Sequence, residues 1–177
     1  MNPDKSMREK IKSVFLAQAE KNNYCRVSVT AVCQACHIHR STFYFYFESI
    51  DGLLDEIEYD FIRQIPFVDC FTNKEALYEG TLNYVKYVSR NKRVFFTLIK
   101  SGKLIPAFMD KSNEKSSQFV MHHFGIDNHE MPPLLASYTT IGSIALLQTW
   151  LTDYPEYPAK KIAQIICNQA IAATQAI

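Results

Sequence analysis

Apolar residues return every three or four positions along most of this chain, the spacing of helices buried along one face. Ile11, Val14, Phe15 and Leu16 predict a first helix over about residues 5–21. Leu53, Leu54, Ile57, Phe61 and Ile65 predict another over 49–65, with Pro66 as its stop. Further helices are expected over 74–90, 92–101, 104–124, 133–153 and 158–174. Gly102 and the segment 125–133 separate them, and proline is tolerated in a helix's first turn. With two short helices between Ser28 and Tyr46, the pattern predicts about nine helices and no strand, an all-α chain. No internal repeat interrupts it.

Residues 28–47, SVTAVCQACHIHRSTFYFYF, are the most informative stretch. Val29, Val32 and Cys33 have helix spacing, and Ser28 stands where it can cap the first N–H groups. A break at Cys36-His37-Ile38 precedes a second short helix over 40–46. Two short helices around a tight turn form a helix-turn-helix, whose second helix enters the DNA major groove with its first turn at the base edges. That turn carries Arg40, Ser41 and Thr42. Arginine can donate two parallel hydrogen bonds to guanine, and small hydroxyl side chains bond to bases or phosphates. Five aromatics follow, Phe43 to Phe47, which cannot all face inward. Phe43 and Phe47 are expected in the core, with the Tyr44 and Tyr46 hydroxyls reaching phosphates.

The stretch resembles the DNA-binding domain of the tetracycline repressor (TetR) family of bacterial regulators, whose pattern is roughly T-V-x-x-I-A-x-x-A-G-V-S-x-G-T-x-Y-x-H-F-x-S. Thr42, Tyr44 and Phe47 match outright. The likeness extends upstream to about Ile11, where K-N-N-Y-C-R-V-S-V replaces E-K-G-Y-x-A-T-T-V, and downstream through Leu53 and Leu54. It covers about the first third of the chain. The departures are specific. The family's turn glycine is His37, its capping serine is His39, its histidine after the tyrosine is Tyr46, and basic residues opening the fourth helix are Glu48 and Ile50. The last change removes phosphate contacts. Arg8, Lys10 and Lys12 on the first helix can approach the DNA backbone or form a solvated face.

Net charge is +1, but residues 1–50 hold seven Lys/Arg against four Asp/Glu, so the basic share lies with the predicted DNA reader. Cys33-Gln-Ala-Cys36-His37 has the form of a c-type haem attachment, and Cys25 and His39 invite a zinc reading. Cys33 and Cys36 fall where the family has small alanines between helices, so buried structural thiols are expected, with no metal and no cofactor. His122, His123, Asp127, His129 and Glu130 are expected to form a polar loop. No long apolar run predicts a membrane span and the N-terminus has no apolar core region, so a cytoplasmic protein is expected. No catalytic motif is visible, and the chain is not expected to be an enzyme.

The resemblance implies a helix-turn-helix domain over 1–48 and a helical effector-binding and dimerisation domain over 49–177. Stripes on the last two helices form the expected dimer interface: Ile141, Ile144, Ala145 and Gln148 on one, Ile162, Ile165, Ile166 and Gln169 on the other. The segment S-I-A-L-L-Q-T-W-L is similar, less specifically, to a subgroup that includes regulators of dihydroxyacetone kinase operons. Phe61, Tyr84, Phe95, Phe108, Phe119 and Trp150 are the candidate lining of an effector pocket, with plain aromatic core as the alternative. The function so implied is a homodimeric repressor on a near-palindromic double-stranded DNA operator, released by a small-molecule effector. Ser28, Thr30, His39, Arg40, Ser41, Thr42, Tyr44 and Tyr46 would contact DNA. A co-activator or adaptor on the same scaffold, with weak or no DNA binding, is the alternative.

Overall fold

A computed structural model of the chain describes residues 3–22, 24–66, 74–111 and 131–175. These form nine α-helices: α1 (Pro3–Lys21), α2 (Val29–Cys36), α3 (Arg40–Tyr46), α4 (Ile50–Gln64), α5 (Lys74–Arg90), α6 (Lys92–Lys100), α7 (described over 104–111), α8 (Met131–Asp153) and α9 (Ala159–Gln175). A 3₁₀ turn, Tyr24–Arg26, links α1 to α2, and the described residues contain no strand. The eighth helix begins two residues earlier than its prolines suggested. The predicted continuation of α7 beyond 111, Phe119 and the His122–Glu130 cluster lie outside the described residues.

Two compact units emerge, one of Met1–Gln64 with Arg93–Leu104, the other of Ile65–Lys92 with Ile105–Ile177. The first is built on Ile11, Phe15 and Ala19, one turn apart on α1 and all buried. Phe15 and Ala19 share this layer, as volume exchange between adjacent core positions allows. Val32 and Cys36 from α2, Phe43 and Phe47 around α3, and Leu53, Leu54, Ile57 and Phe61 from α4 complete it. Arg93 of α6 pairs with Glu20 of α1 at 2.7 Å, and Lys103 pairs with Asp55 of α4. In the second unit α9 packs on α5 and α8, burying Val85, Val88, Ile144, Leu147, Ile162 and Ala163.

Helix ends follow local chemistry. Ser28 Oγ accepts from the Ala31 N–H at 3.2 Å and Ser49 Oγ from Gly52 at 3.0 Å, capping α2 and α4. His39 precedes α3 without a side-chain cap bond. The α2 C-terminus closes by a double bond pattern, His37 N–H to Gln34 O and Ile38 N–H to Cys33 O. Gly102 and Lys103 repeat it on Ile99 and Leu98 after α6. This Schellman closure needs a left-handed residue, and glycine adopts it without steric cost. Gly102 has φ 73° and His37 has φ 55°, so the helix-turn-helix carries a histidine where the second turn carries glycine.

His37→Gly is therefore expected to stabilise the chain by about 0.5–1 kcal/mol, since a β-carbon in this region costs about 1–2 kcal/mol and the flexibility of glycine offsets part of it. Urea denaturation midpoints check this. An unchanged or lower midpoint would mean that the turn carries no strain.

Candidate nucleic-acid interface

The helix-turn-helix has an inner and an outer side, and the aromatic run of α3 is divided between them. Phe43 is fully buried and Phe47 nearly so, with their rings 5.9 Å apart. Tyr44 is half exposed and Phe45 is 75% exposed. Thr30, His39, Arg40 and Ser41 are exposed, Thr42 and Tyr46 half-buried, and Ser28 caps α2. Arg40 Nη2 lies 3.5 Å from Tyr44 Oη, one turn along the same face. Thr30, Cys33, Gln34, His37, Ile38, His39 and Arg40 line an open concavity of about 530 Å³ between α2 and the start of α3. The expected DNA-contacting side chains thus gather around one outer surface. Gln34 and Phe45 belong to that surface and were not singled out by sequence. Amphipathic spacing alone would have placed both.

The cations of α1 are engaged inside the domain. Neither α2 nor α3 has a basic residue in its last turn. Lys10 Nζ donates to the Cys36 carbonyl at 2.9 Å, at the end of α2. Arg8 Nη2 donates to the Tyr46 carbonyl at 3.0 Å, at the end of α3. A cation at a helix C-terminus satisfies an orphan carbonyl and complements the helix dipole. The Arg8 guanidinium also donates from Nε to both Glu56 oxygens, at 3.0 and 3.2 Å, and lies 4.9 Å from the centre of the Phe47 ring. Lys12 is 6% exposed and bonds Glu56 at 2.8 Å and Asp60 at 2.5 Å. Burial lowers the Lys12 pKa, but hydrogen bonds and charges of Asp60 and Glu56 outweigh it and hold the ammonium above its ordinary value. Its contribution to stability is complete below the unfolded-state value of about 10.4 and is lost as pH rises through the folded-state value. Arg8, Lys10 and Lys12 therefore clamp α1 to α2, α3 and α4, where sequence had offered them to the DNA backbone or to solvent.

The thiols are packing residues. Cys33 and Cys36 are buried, and burial pushes the Cys36 thiol up, against the thiolate that metal binding requires. Among the described residues no group of three or more His, Cys, Asp or Glu could hold a metal.

The remaining candidates lie in both units. Phe61 and Phe95 are buried in the first. Tyr84, Phe108 and Trp150 are buried in the second, with the Tyr84 and Phe108 rings 5.5 Å apart. The Tyr84 hydroxyl lies beside Ser143 without a hydrogen bond of good geometry, and burial pushes its pKa upward. The Trp150 indole donates to the Tyr157 carbonyl at 3.0 Å and latches the α8–α9 turn. On α8 and α9, Ile144 and Ile162 are buried within the unit and Ile166 is half-buried. Ile141, Ala145, Gln148, Ile165 and Gln169 face outward.

Residues 16–57 match the model of bacterial regulatory proteins of the tetR family. No curated protein matched the chain. Among solved structures, the dihydroxyacetone kinase operon activator DhaS is 17% identical, with 97% of each chain covered and a TM-score of 0.64. A putative TetR-family transcriptional regulator from Syntrophomonas wolfei is 13% identical over 96% of this chain and 95% of that one, with a TM-score of 0.76. Thermus thermophilus FadR, a TetR-family repressor solved with lauroyl-CoA, is 13% identical over 93% of each chain, with a TM-score of 0.60. At these identities the likeness is one of fold.

Alkylation of the native protein is expected to modify Cys25, which is exposed, well before Cys33, Cys36 and Cys167, which should react only on unfolding. Mass spectrometry of the labelled peptides checks it. Rapid native labelling of Cys33 and Cys36, or loss of fold on chelation, would restore a metal reading.

Proposed function

We infer that this chain, a TetR-family protein by its helix-turn-helix domain and by its fold, is a DNA-binding transcriptional regulator, and we propose that it works as a homodimeric repressor. The observation that carries the DNA-binding reading is the outer surface of α2 and α3. Thr30, Arg40, Ser41 and Tyr44 stand exposed there, while Phe43 and Phe47 fix the opposite side in the core. Arg40 and Ser41, in the first turn of α3, would meet base edges, with Thr42 and Thr30 beside them. Ser28, His39, Tyr44 and Tyr46 would hold the sugar–phosphate backbone.

The dimer reading is supported by α8. Leu134, Tyr138, Ile141, Ala145 and Gln148 recur at alternating four- and three-residue steps and are all exposed, the spacing of a helix-pairing seam. Ile165 and Gln169 continue the outward face on α9. A twofold dimer presents two readers to successive major grooves, so the operator would be a near-palindrome with half-sites about one helical turn or slightly more apart. Release would follow if an effector bound more tightly to a dimer whose readers are wrongly spaced. The buried Tyr84 hydroxyl, beside Phe108 and Ser143, is the proposed polar contact for such a ligand in an otherwise apolar setting. FadR, crystallised with an acyl-CoA, makes an apolar effector a reasonable first probe.

One observation favours the adaptor alternative. Arg8, Lys10 and Lys12 are engaged within the domain, and Glu48 is exposed just beyond α3. Both features reduce the positive charge offered to phosphates.

Selection from a pool of random-sequence duplexes tests the reading. Recovery of a palindromic site is expected, and Arg40→Ala should weaken it by about 1–3 kcal/mol with little effect on random DNA. Tyr44→Phe should weaken every sequence alike. Failure to enrich any site would favour the adaptor. Equal loss on both DNAs for Arg40→Ala would make Arg40 a phosphate contact.

A further inference from the structure

Phe45 is the most exposed large apolar side chain on α3, at 75%. Its direction follows from helix geometry. At about 100° per residue it lies about 200° round the axis from Phe43, nearly opposite the core-facing position. Ser41, one turn earlier, lies within about 40° of the same line. Phe45 therefore occupies the middle of the outward face, one turn beyond the residues expected at base edges.

The ring is braced. It packs edge-on against Tyr46, with centroids 5.1 Å apart and planes at 89°. The Tyr46 ring in turn lies 6.0 Å from the Arg8 guanidinium, which is itself tied to Glu56 and to the end of α3. A large apolar group kept in water on a rigid support gains free energy only when another surface dries it. On the floor of the major groove the apolar feature is the thymine C5-methyl group, and phenylalanine is one of the side chains that contact it.

We infer that Phe45 is a specificity-determining residue that reads a thymine methyl in each half-site. The inference rests on the DNA-reading function proposed above. It assigns sequence information to a position that has no hydrogen-bonding atom in its side chain. Ser41 and Arg40 would read the neighbouring pairs by hydrogen bonds, so the face would combine polar and apolar readout along about one helical turn.

Deoxyuridine provides the test, because it removes the C5-methyl and leaves every hydrogen-bonding group in place. In the selected duplex each thymine is replaced singly. Native protein is expected to lose about threefold to tenfold in affinity at one position per half-site. Phe45→Ala should bind thymine and deoxyuridine duplexes equally at that position while keeping the other base preferences, and Phe45→Leu should keep part of the methyl effect. Truncating so exposed a side chain opens no cavity, and circular dichroism verifies the fold. A selected site indifferent to every thymine methyl would overturn the inference and leave the DNA-reading intact. So would a methyl effect that survives Phe45→Ala, or a loss spread equally over all sequences. Failure to select any duplex would overturn both.

Discussion

The structure of the DNA-facing unit depends on how two very short helices are held. Helices of eight and seven residues are too short to be stable in isolation. Each ends without a basic residue of its own, and α1 supplies one to each, Lys10 to the end of α2 and Arg8 to the end of α3. Arg8 joins this cap to Glu56, and Lys12 joins Glu56 to Asp60, so the same cluster fixes α4. The buried Phe43–Phe47 pair sets which face of α3 turns inward. The position of α3 relative to α4 is then set by charge, hydrogen bonding and packing together, and a displacement of α4 would strain the end of α3.

That arrangement has an electrostatic consequence. Cations that hold helix ends and carboxylates are withdrawn from the surface offered to a polyanion. Base contacts from Arg40 and Ser41 and apolar contact from Phe45 then carry a larger share of recognition than in a strongly basic reader. The exposed Glu48 acts in the same direction. DNA affinity on this account is modest in absolute terms and depends on sequence.

The helices were legible from sequence because their signals are local. Ser28 and Ser49 stand at caps, Gly102 and His37 at left-handed closures, and Phe43 and Phe47 one turn apart on a buried face. The roles of Arg8, Lys10 and Lys12 were not legible, because their partners lie 26 to 48 residues away and spacing carries no information about them. Phe45 was hidden in a run of five aromatics, where composition suggests core and only the helical phase separates the outward ring. Aromatic composition was also too coarse for the effector set. It grouped Phe61 and Phe95 with Tyr84 and Phe108, which belong to different units, and included Trp150, whose indole closes a turn. The stripes on α8 and α9 were read with the right period but not the right phase, so buried Ile144 and Ile162 stood beside outward Ile141 and Ile165.

The most direct measurement is the salt dependence of DNA binding by the intact protein. A dimer making about six phosphate contacts should lose roughly a thousandfold in affinity between about 50 and 200 mM salt, with log K falling linearly in log salt concentration. That result would establish a protein held to DNA through its phosphates, as the outer surface of α2 and α3 implies. A flat response, or no binding even at the lowest salt, would contradict the account and leave the helical scaffold as a platform for protein partners.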